Sequence, residues 1–179
     1  MQHIKNLYIK RIADLMLIIC CIELKFIIII IIMLKFKIYN PHTKMSAVQK
    51  HTATEFLYKH LGQYGDKKPD IKKAVNYALE ETPSFGGFVL ERYDENENIV
   101  GIVVLNRTGM SDYIPKNILV YIAVDSAHRG KGYGKKLMNK AIELTEGDIA
   151  LHVEKDNPAR FLYEKVGFTN PYLEMRLSN

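Results

Sequence analysis

Six consecutive residues, Arg129-Gly130-Lys131-Gly132-Tyr133-Gly134, carry the most pointed chemistry in this sequence. Three glycines at alternate positions let the backbone approach a ligand closely. The run lies between an apolar, strand-like stretch at 118–124 and a helix-like stretch with Leu137, Met138, Ala141, Ile142 and Leu144 as its apolar face. A helix that opens at such a loop presents unpaired N–H groups and the positive end of its dipole, which suits phosphate or pyrophosphate. Arg129, Lys131, Lys135 and Lys136 add positive charge. The spacing is not that of a P-loop, which needs Gly-Lys-Ser/Thr. Nor is it the Gly-x-Gly-x-x-Gly dinucleotide fingerprint, which would end on Lys135 or Leu137. It fits Arg-x-x-Gly-x-Gly at Arg129, Gly132 and Gly134, with a ligand-free flexible loop as the plainer alternative.

Other candidates lie downstream. Asn157-Pro158 suits the start of a helix, with Asn as cap and Pro in the first turn, and Tyr163 falls within that helix. His152 and Glu154 are two apart in a strand-like run, hence on one face, where they could take up a proton; an exposed or satisfied pair is the plainer reading. His128 reads as a solvated surface residue.

These residues need elements to position them. Ile71, Ala74, Val75, Ala78 and Leu79 form one helical stripe, begun by Pro69 and stopped by Pro83. A helix before it turns Ala53, Phe56, Leu57 and Leu61 inward and ends near Gly62. Runs 88–93 and 99–107 read as strands joined by a polar hairpin loop, 94–98. Stretch 118–124 is apolar on both alternations, with Ile118, Val120, Ile122 and Val124 on one face and Leu119, Tyr121 and Ala123 on the other. It belongs at the centre of a covered sheet. A strand at 149–153, a helix closed by Gly167, and one or two terminal strands within 168–177 complete a mixed α/β domain.

The first 44 residues are different material. They hold seven Lys/Arg and two Asp/Glu, so the net +5 of the chain belongs to them, and the remainder carries 18 of each sign. The basic balance therefore says nothing about nucleic acid binding by the body, which has no basic arm or zinc-finger spacing. The segment contains thirteen Ile, and residues that AT-rich codons encode make up 33 of its 44 positions. Residues 15–34 have the length of a membrane anchor, but Glu23 and Lys25 sit at their centre, each costing about 2.5–3.5 kcal/mol on insertion scales. The favoured division is an N-terminal extension, 1–44, that is an overextended start or a membrane-associated tail, and a body, 45–179. Starting at Met45, the protein has no cysteine and no export signal and reads as cytoplasmic.

Val120-Tyr121-Ile122-Ala123-Val124 followed by His128-Arg129-Gly130-Lys131-Gly132-Tyr133-Gly134 resembles the acetyl-coenzyme A signature of the GNAT family of N-acetyltransferases. Asn157-Pro158-Ala159-Arg160-Phe161-Leu162-Tyr163-Glu164-Lys165-Val166-Gly167-Phe168 resembles the second signature of that family. The resemblance is firm over 99–168, extends in plausible form over the body after Met45, and leaves out residues 1–44.

The resemblance implies a mixed, mostly antiparallel central sheet flanked by helices, and transfer of an acetyl group from acetyl-CoA directly to a primary amine, without a metal. It implies that the backbone of Ile122, Ala123 and Val124 pairs with the pantetheine arm, that Arg129, Gly130, Lys131, Gly132, Tyr133 and Gly134 wrap the pyrophosphate, and that Asn157 bonds the pantetheine side. Tyr163 would be the general acid for the departing thiolate. The acceptor would be a small-molecule amine or a protein or peptide amine, with no nucleic acid partner; a membrane is a partner only if residues 1–44 are translated, and a homodimer is allowed. The alternative on the same fold is a non-catalytic acyl-CoA-binding sensor. In one respect the chain departs from the family: no initial strand is evident after Met45, so either residues 45–49 form it or the body begins at the first helix.

Overall fold

The structure is a computed structural model that describes residues 35–177 and, before them, 16, 18–20 and 22–24. The residues described among 16–24 are helical and belong to a unit of their own, 1–36; the second compact unit is 37–179. Most of the stretch considered above as a membrane anchor lies outside the described residues. Among those described, no helix is long and apolar enough to cross a membrane.

The elements run β1 (Phe36–Tyr39), α1 (Ala47–Leu61), α2 (Lys68–Ala78), β2 (Gly87–Tyr93), β3 (Ile99–Arg107), β4 (Asn117–Val124), α3 (Tyr133–Glu143), β5 (Ile149–Leu151) and α4 (Ala159–Lys165). The five strands form one sheet in chain order. β2, β3 and β4 are antiparallel neighbours, and β5 joins β4 in parallel. The mixed α/β architecture is as the sequence implied. The initial strand is β1, upstream of Met45, and its Tyr39 is buried.

Local chemistry accounts for the boundaries. Ser46 caps α1 through a capping box with Gln49, each side chain bonding the other's backbone N–H. Pro69 occupies the first turn of α2, and Ile71, Val75, Ala78 and Leu79 are fully buried beneath it. Between β2 and β3, Asp94 Oδ1 accepts from the N–H groups of Asn96 and Asn98, at 2.9 and 2.8 Å, and closes the hairpin.

Helices cover both faces. Under α1 and α2 lie Val89, Ile102, Val104, Tyr121 and Ala123. On the opposite face α3 buries Leu137, Met138 and Ala141, and a β-carbon on Gly101 of β3 would lie 3.0 Å from Leu137 Cδ2.

β4 serves both cores by alternation, and a bulge shifts its phase. Tyr121 pairs with Val104 and Leu119 with Leu105, so Val120 is an extra residue. Cross-strand partners share a face. Leu119 is therefore on the α3 side and Tyr121 on the α1–α2 side, and the simple alternation read from sequence changes phase at Val120. Ile118 faces α1–α2, whereas Ile122 and Val124 face α3.

Two other sequence expectations differ from the structure. β5 ends at Leu151, which leaves His152 and Glu154 beyond the strand. Among the described residues no strand forms in 168–177. β5 offers an edge of only three residues, and Pro171 has no N–H to donate. Leu173, Met175 and Leu177 remain about nine-tenths exposed.

Candidate active site

The parting of β4 from β5 defines the site. The two strands pair only through Asn117–Ile149, Ile118–Ala150 and Leu119–Leu151. They separate at the bulge, so among the described residues the edge of β4 facing away from β3 has no strand partner over 120–124. Ile122, Ala123 and Val124 thus lie on an open edge that an extended, amide-bearing chain can join by β-type hydrogen bonds.

That edge leads into the glycine loop. Residues 126–128 form a single tight turn capped by Asp125, whose Oδ1 accepts from the N–H of Ala127 at 3.1 Å. Gly130 and Gly132 have φ of 74° and 79°, the left-handed region, and a β-carbon on either would meet nothing within 4 Å. These two positions are glycine for their backbone conformation, beside open space. Gly132 is the N-cap of α3; with no side chain it leaves the first N–H groups of the helix uncapped, and no acidic residue lies in the first turn. This is the arrangement for receiving an anion. Gly134 differs. Its β-carbon would lie 3.2 Å from Leu162 Cδ2 of α4 and 3.7 Å from Val124 Cγ2, so its smallness lets α4 approach α3.

The basic side chains are partly committed within the protein. Arg129 Nε donates to the Val124 carbonyl at 3.2 Å, and its Nη2 donates to the His60 carbonyl. Lys131 Nζ donates to the Ala127 carbonyl at 3.0 Å. Their charges remain beside the loop while their hydrogen bonds shape it. Tyr133 packs between the His128 ring, edge-on at 5.5 Å, and the Arg92 guanidinium, 4.9 Å from its centroid. His128 also approaches Asp125 Oδ2, at 3.3 Å, so it is half-buried and partnered where the sequence suggested a solvated residue.

Downstream, Asn157 Oδ1 accepts from the N–H of Ala159 at 2.9 Å and so caps α4, which leaves its Nδ2 to donate. Tyr163 is buried, its ring edge-on to Phe168, and its hydroxyl has no hydrogen-bond partner among the described residues. Burial pushes its pKa up to about 12, so the phenol stays protonated at neutral pH.

On the α1–α2 side of the parting, Tyr121 donates to Asp66 Oδ2 at 2.6 Å. Tyr64 donates to the Asp156 carbonyl at 3.2 Å and ties the α1–α2 loop to the approach to α4. His152, one residue past the last β4–β5 pair, has Nε2 3.6 Å from Glu174 Oε2. Arg176, bonded to Glu174, holds that carboxyl below its ordinary range. Glu154 is exposed. Among the described residues no group of three or more His, Cys, Asp or Glu could hold a metal ion.

Sequence reasoning missed Asp66, Tyr121 and His60. The contacts of Tyr121 and His60 span 55 and 66 residues, and no local pattern announces them. A separate cleft of about 640 Å³ at the far end of the sheet, lined by Phe85, Phe88, Met110, Arg107 and Lys116, takes no part in the loop.

Comparison with known proteins places these features in a family context. The model of the Acetyltransferase (GNAT) family matches residues 48–168. The chain is 36% identical over 87 residues to spermidine N(1)-acetyltransferase of Vibrio cholerae, a match that covers 45% of this chain and 47% of that protein. It is 36% identical over 78 residues to the ribosomal protein bS18-alanine N-acetyltransferase of Haemophilus influenzae, covering 41% and 50%. The chain thus matches about half the length of these curated relatives. Among solved structures, a chain of the NatC complex bound to Gag peptide and CoA superposes with a TM-score of 0.56 at 23% identity, covering 75% of this chain and 83% of that one. At that identity the likeness speaks for the fold.

Proposed function

The chain belongs to the GNAT family of acetyltransferases, and on that premise we propose that it moves an acetyl group from acetyl-CoA to a primary amine. The observation that carries this reading is the open edge of β4 running into a glycine loop with an uncapped helix start. The fit to acetyl-CoA is chemical. The edge offers amides in strand spacing to a chain of amides, and the loop offers N–H groups and open space to a pyrophosphate.

Acetyl-CoA supplies an acyl carbon activated as a thioester and a thiol leaving group. The residues of this chain bind, orient and exchange protons. Backbone groups of Ile122, Ala123 and Val124 hold the pantetheine arm, and one of their N–H groups meets the carbonyl oxygen where negative charge develops. The loop from Arg129 to Gly134 holds the pyrophosphate, and Asn157 Nδ2 donates to the pantetheine side. One C–N bond forms as one C–S bond breaks, and the proton surrendered by the amine balances the one gained by sulfur.

Tyr163 donates toward that sulfur. A phenol with a pKa of about 12 gives its proton fully to a thiolate, whose ordinary pKa is about 8.5, only uphill. Tyr163 therefore acts as a hydrogen-bond donor through C–S cleavage, with solvent completing the transfer. His152, at the mouth of the parting with Glu174 beside it, is suited to take the amine proton. Much of the acceleration comes from holding the two reactants together.

The test is thiol release from acetyl-CoA with a panel of polyamines, amino acids and peptides with free N-termini. Turnover with any of them supports the enzyme. Saturable acetyl-CoA binding with no turnover across the panel would favour the acyl-CoA sensor.

A further inference from the structure

The glycine loop is tied to the C-terminal end of α1 through one residue. His60 is 8% exposed, and its Nδ1 accepts from the N–H of Ser126 at 3.3 Å. Its carbonyl accepts from Arg129 Nη2, while Nε of the same guanidinium holds the last carbonyl of β4, that of Val124. His60 thus grips both ends of the turn 126–128, and among the described residues the other side chain that fixes this turn at its start is Asp125, 3.9 Å from His60 Nδ1. Phe56, one turn earlier on α1, packs on the ring with centroids 4.5 Å apart and fixes its orientation.

We propose that His60 is a positioning residue for the phosphate-binding loop: its neutral imidazole, as acceptor for Ser126, holds residues 126–129 in the conformation that presents the loop to phosphate. The inference rests on reading that loop as the acetyl-CoA site. A protonated imidazole donates from both nitrogens, so it cannot accept from Ser126 and instead confronts an N–H.

The charges facing the ring are Asp125, Lys59 and Arg129. Burial, joined by Lys59 and Arg129 against the pull of Asp125, holds the imidazole pKa below its ordinary 6.5. The unfolded chain then binds this proton at a higher pH than the folded one. The stabilising contribution is present above the ordinary imidazole range and declines as pH falls below it. Loop order, and affinity for a phosphate-bearing ligand, follow the same direction.

The experiment is calorimetric titration of the full chain with acetyl-CoA at pH 7.5 and 5.5, for wild type, His60→Asn and His60→Ala. Asn places an acceptor oxygen where Nδ1 stood and does not titrate. At pH 7.5 the expected result is affinity within about threefold of wild type for His60→Asn and roughly tenfold weaker or more for His60→Ala, the loss of about 1.4 kcal/mol. Between pH 7.5 and 5.5 wild type should lose more affinity than His60→Asn; titration of the ligand phosphates is common to both and cancels. Equal affinities for wild type and His60→Ala, or parallel pH losses for wild type and His60→Asn, overturn the proposal. If His60→Ala does not fold, the difference in pH slope decides. Absence of wild-type binding at either pH overturns the reading of the loop itself, and this inference with it.

Discussion

Gly134 of α3 and Leu162 of α4 lie so close that a β-carbon on Gly134 would be 3.2 Å from Leu162 Cδ2. The third glycine of the motif is therefore a packing residue, whereas Gly130 and Gly132 serve backbone conformation. Gly134→Leu should cost about 1–3 kcal/mol through overpacking. Adding Leu162→Ala should cost less than the sum of the two single changes, because the cavity of one receives the side chain of the other. Urea denaturation of the four proteins measures the coupling; strict additivity would separate the two residues.

Gly132 allows a cleaner probe of charge. Asn and Asp tolerate the left-handed conformation better than other side chains, and both would project into open space. Gly132→Asp should weaken acetyl-CoA binding by roughly tenfold or more, since a carboxylate within a few ångströms of a phosphate repels it by a few kcal/mol at partly screened sites. Gly132→Asn should bind several-fold more tightly than Gly132→Asp at matched stability. Calorimetry at two salt concentrations checks the electrostatic origin, because the gap must narrow as salt rises.

Tyr163→Phe removes a donor that, among the described residues, no protein acceptor uses. Fold stability should change by less than about 1 kcal/mol, because no internal hydrogen bond is lost. The rate of thiol release should fall by about 100-fold with the KM for acetyl-CoA little changed, within the range for general acid assistance. Because burial raises the phenol to about 12, wild-type rates should show no loss from ionisation of this group up to about pH 10. A rate for Tyr163→Phe equal to wild type would remove Tyr163 from the reaction.

Upstream of Met45, β1 is anchored to the sheet by a buried polar cluster. Glu91, 1% exposed, accepts from Tyr93 at 2.5 Å; Tyr39 lies beside it, bonded to Gln49 at 3.1 Å, and the Lys37 ammonium stands 4.6 Å from the Tyr93 ring centroid. A chain beginning at Met45 would lose Tyr39 and Lys37 and uncover part of this cluster. It should be less stable than one beginning at Lys35 by at least about 3 kcal/mol, from lost aromatic burial and a charged-group hydrogen bond. Parallel denaturation curves of the two proteins provide the comparison; equal midpoints would make β1 dispensable.

The same cluster predicts a pH effect. Burial raises the Glu91 carboxyl above its ordinary value, against the pull of the Tyr93 hydroxyl, Lys37 and Tyr39. The folded protein then holds this proton where the unfolded chain has released it, so stability falls as pH rises through the interval above about 4.5. Glu91→Gln should flatten that slope, measured as denaturation midpoints from pH 4 to 8.

The elements with strong periodicity were legible from sequence. Ile71, Val75, Ala78 and Leu79 are buried as the helical stripe required, and Leu137, Met138 and Ala141 likewise. The hairpin loop at 94–98 was legible because Asp94 closes it locally. The loop at 129–134 stood out because few folds need three glycines so close together. What escaped the sequence is non-local. Phe36–Tyr39 looked like part of the unusual first 44 residues, and its strand character depends on partners far along the chain. The phase change at Val120 is invisible in a strand apolar at nearly every position, because either face could be the buried one. The three glycines also look alike in the motif, and only Leu162 distinguishes Gly134.

The bulge at Val120 also sets how insertions and deletions will be tolerated here. A strand that feeds two hydrophobic layers in succession behaves like a reading frame: Leu119 is in phase with one layer, and Tyr121 and Ala123 with the other. Removal of Val120 would close the bulge and leave Leu119 and Tyr121 on the faces they now hold, whereas insertion of one more residue would send Tyr121 and Ala123 toward α3 and turn Ile122 and Val124 toward α1 and α2. Length variation in this protein should therefore accumulate in its hairpin and helix-joining loops, while the segment from Asn117 to Val124 admits exchange of side chains and loss of the bulged residue but no insertion.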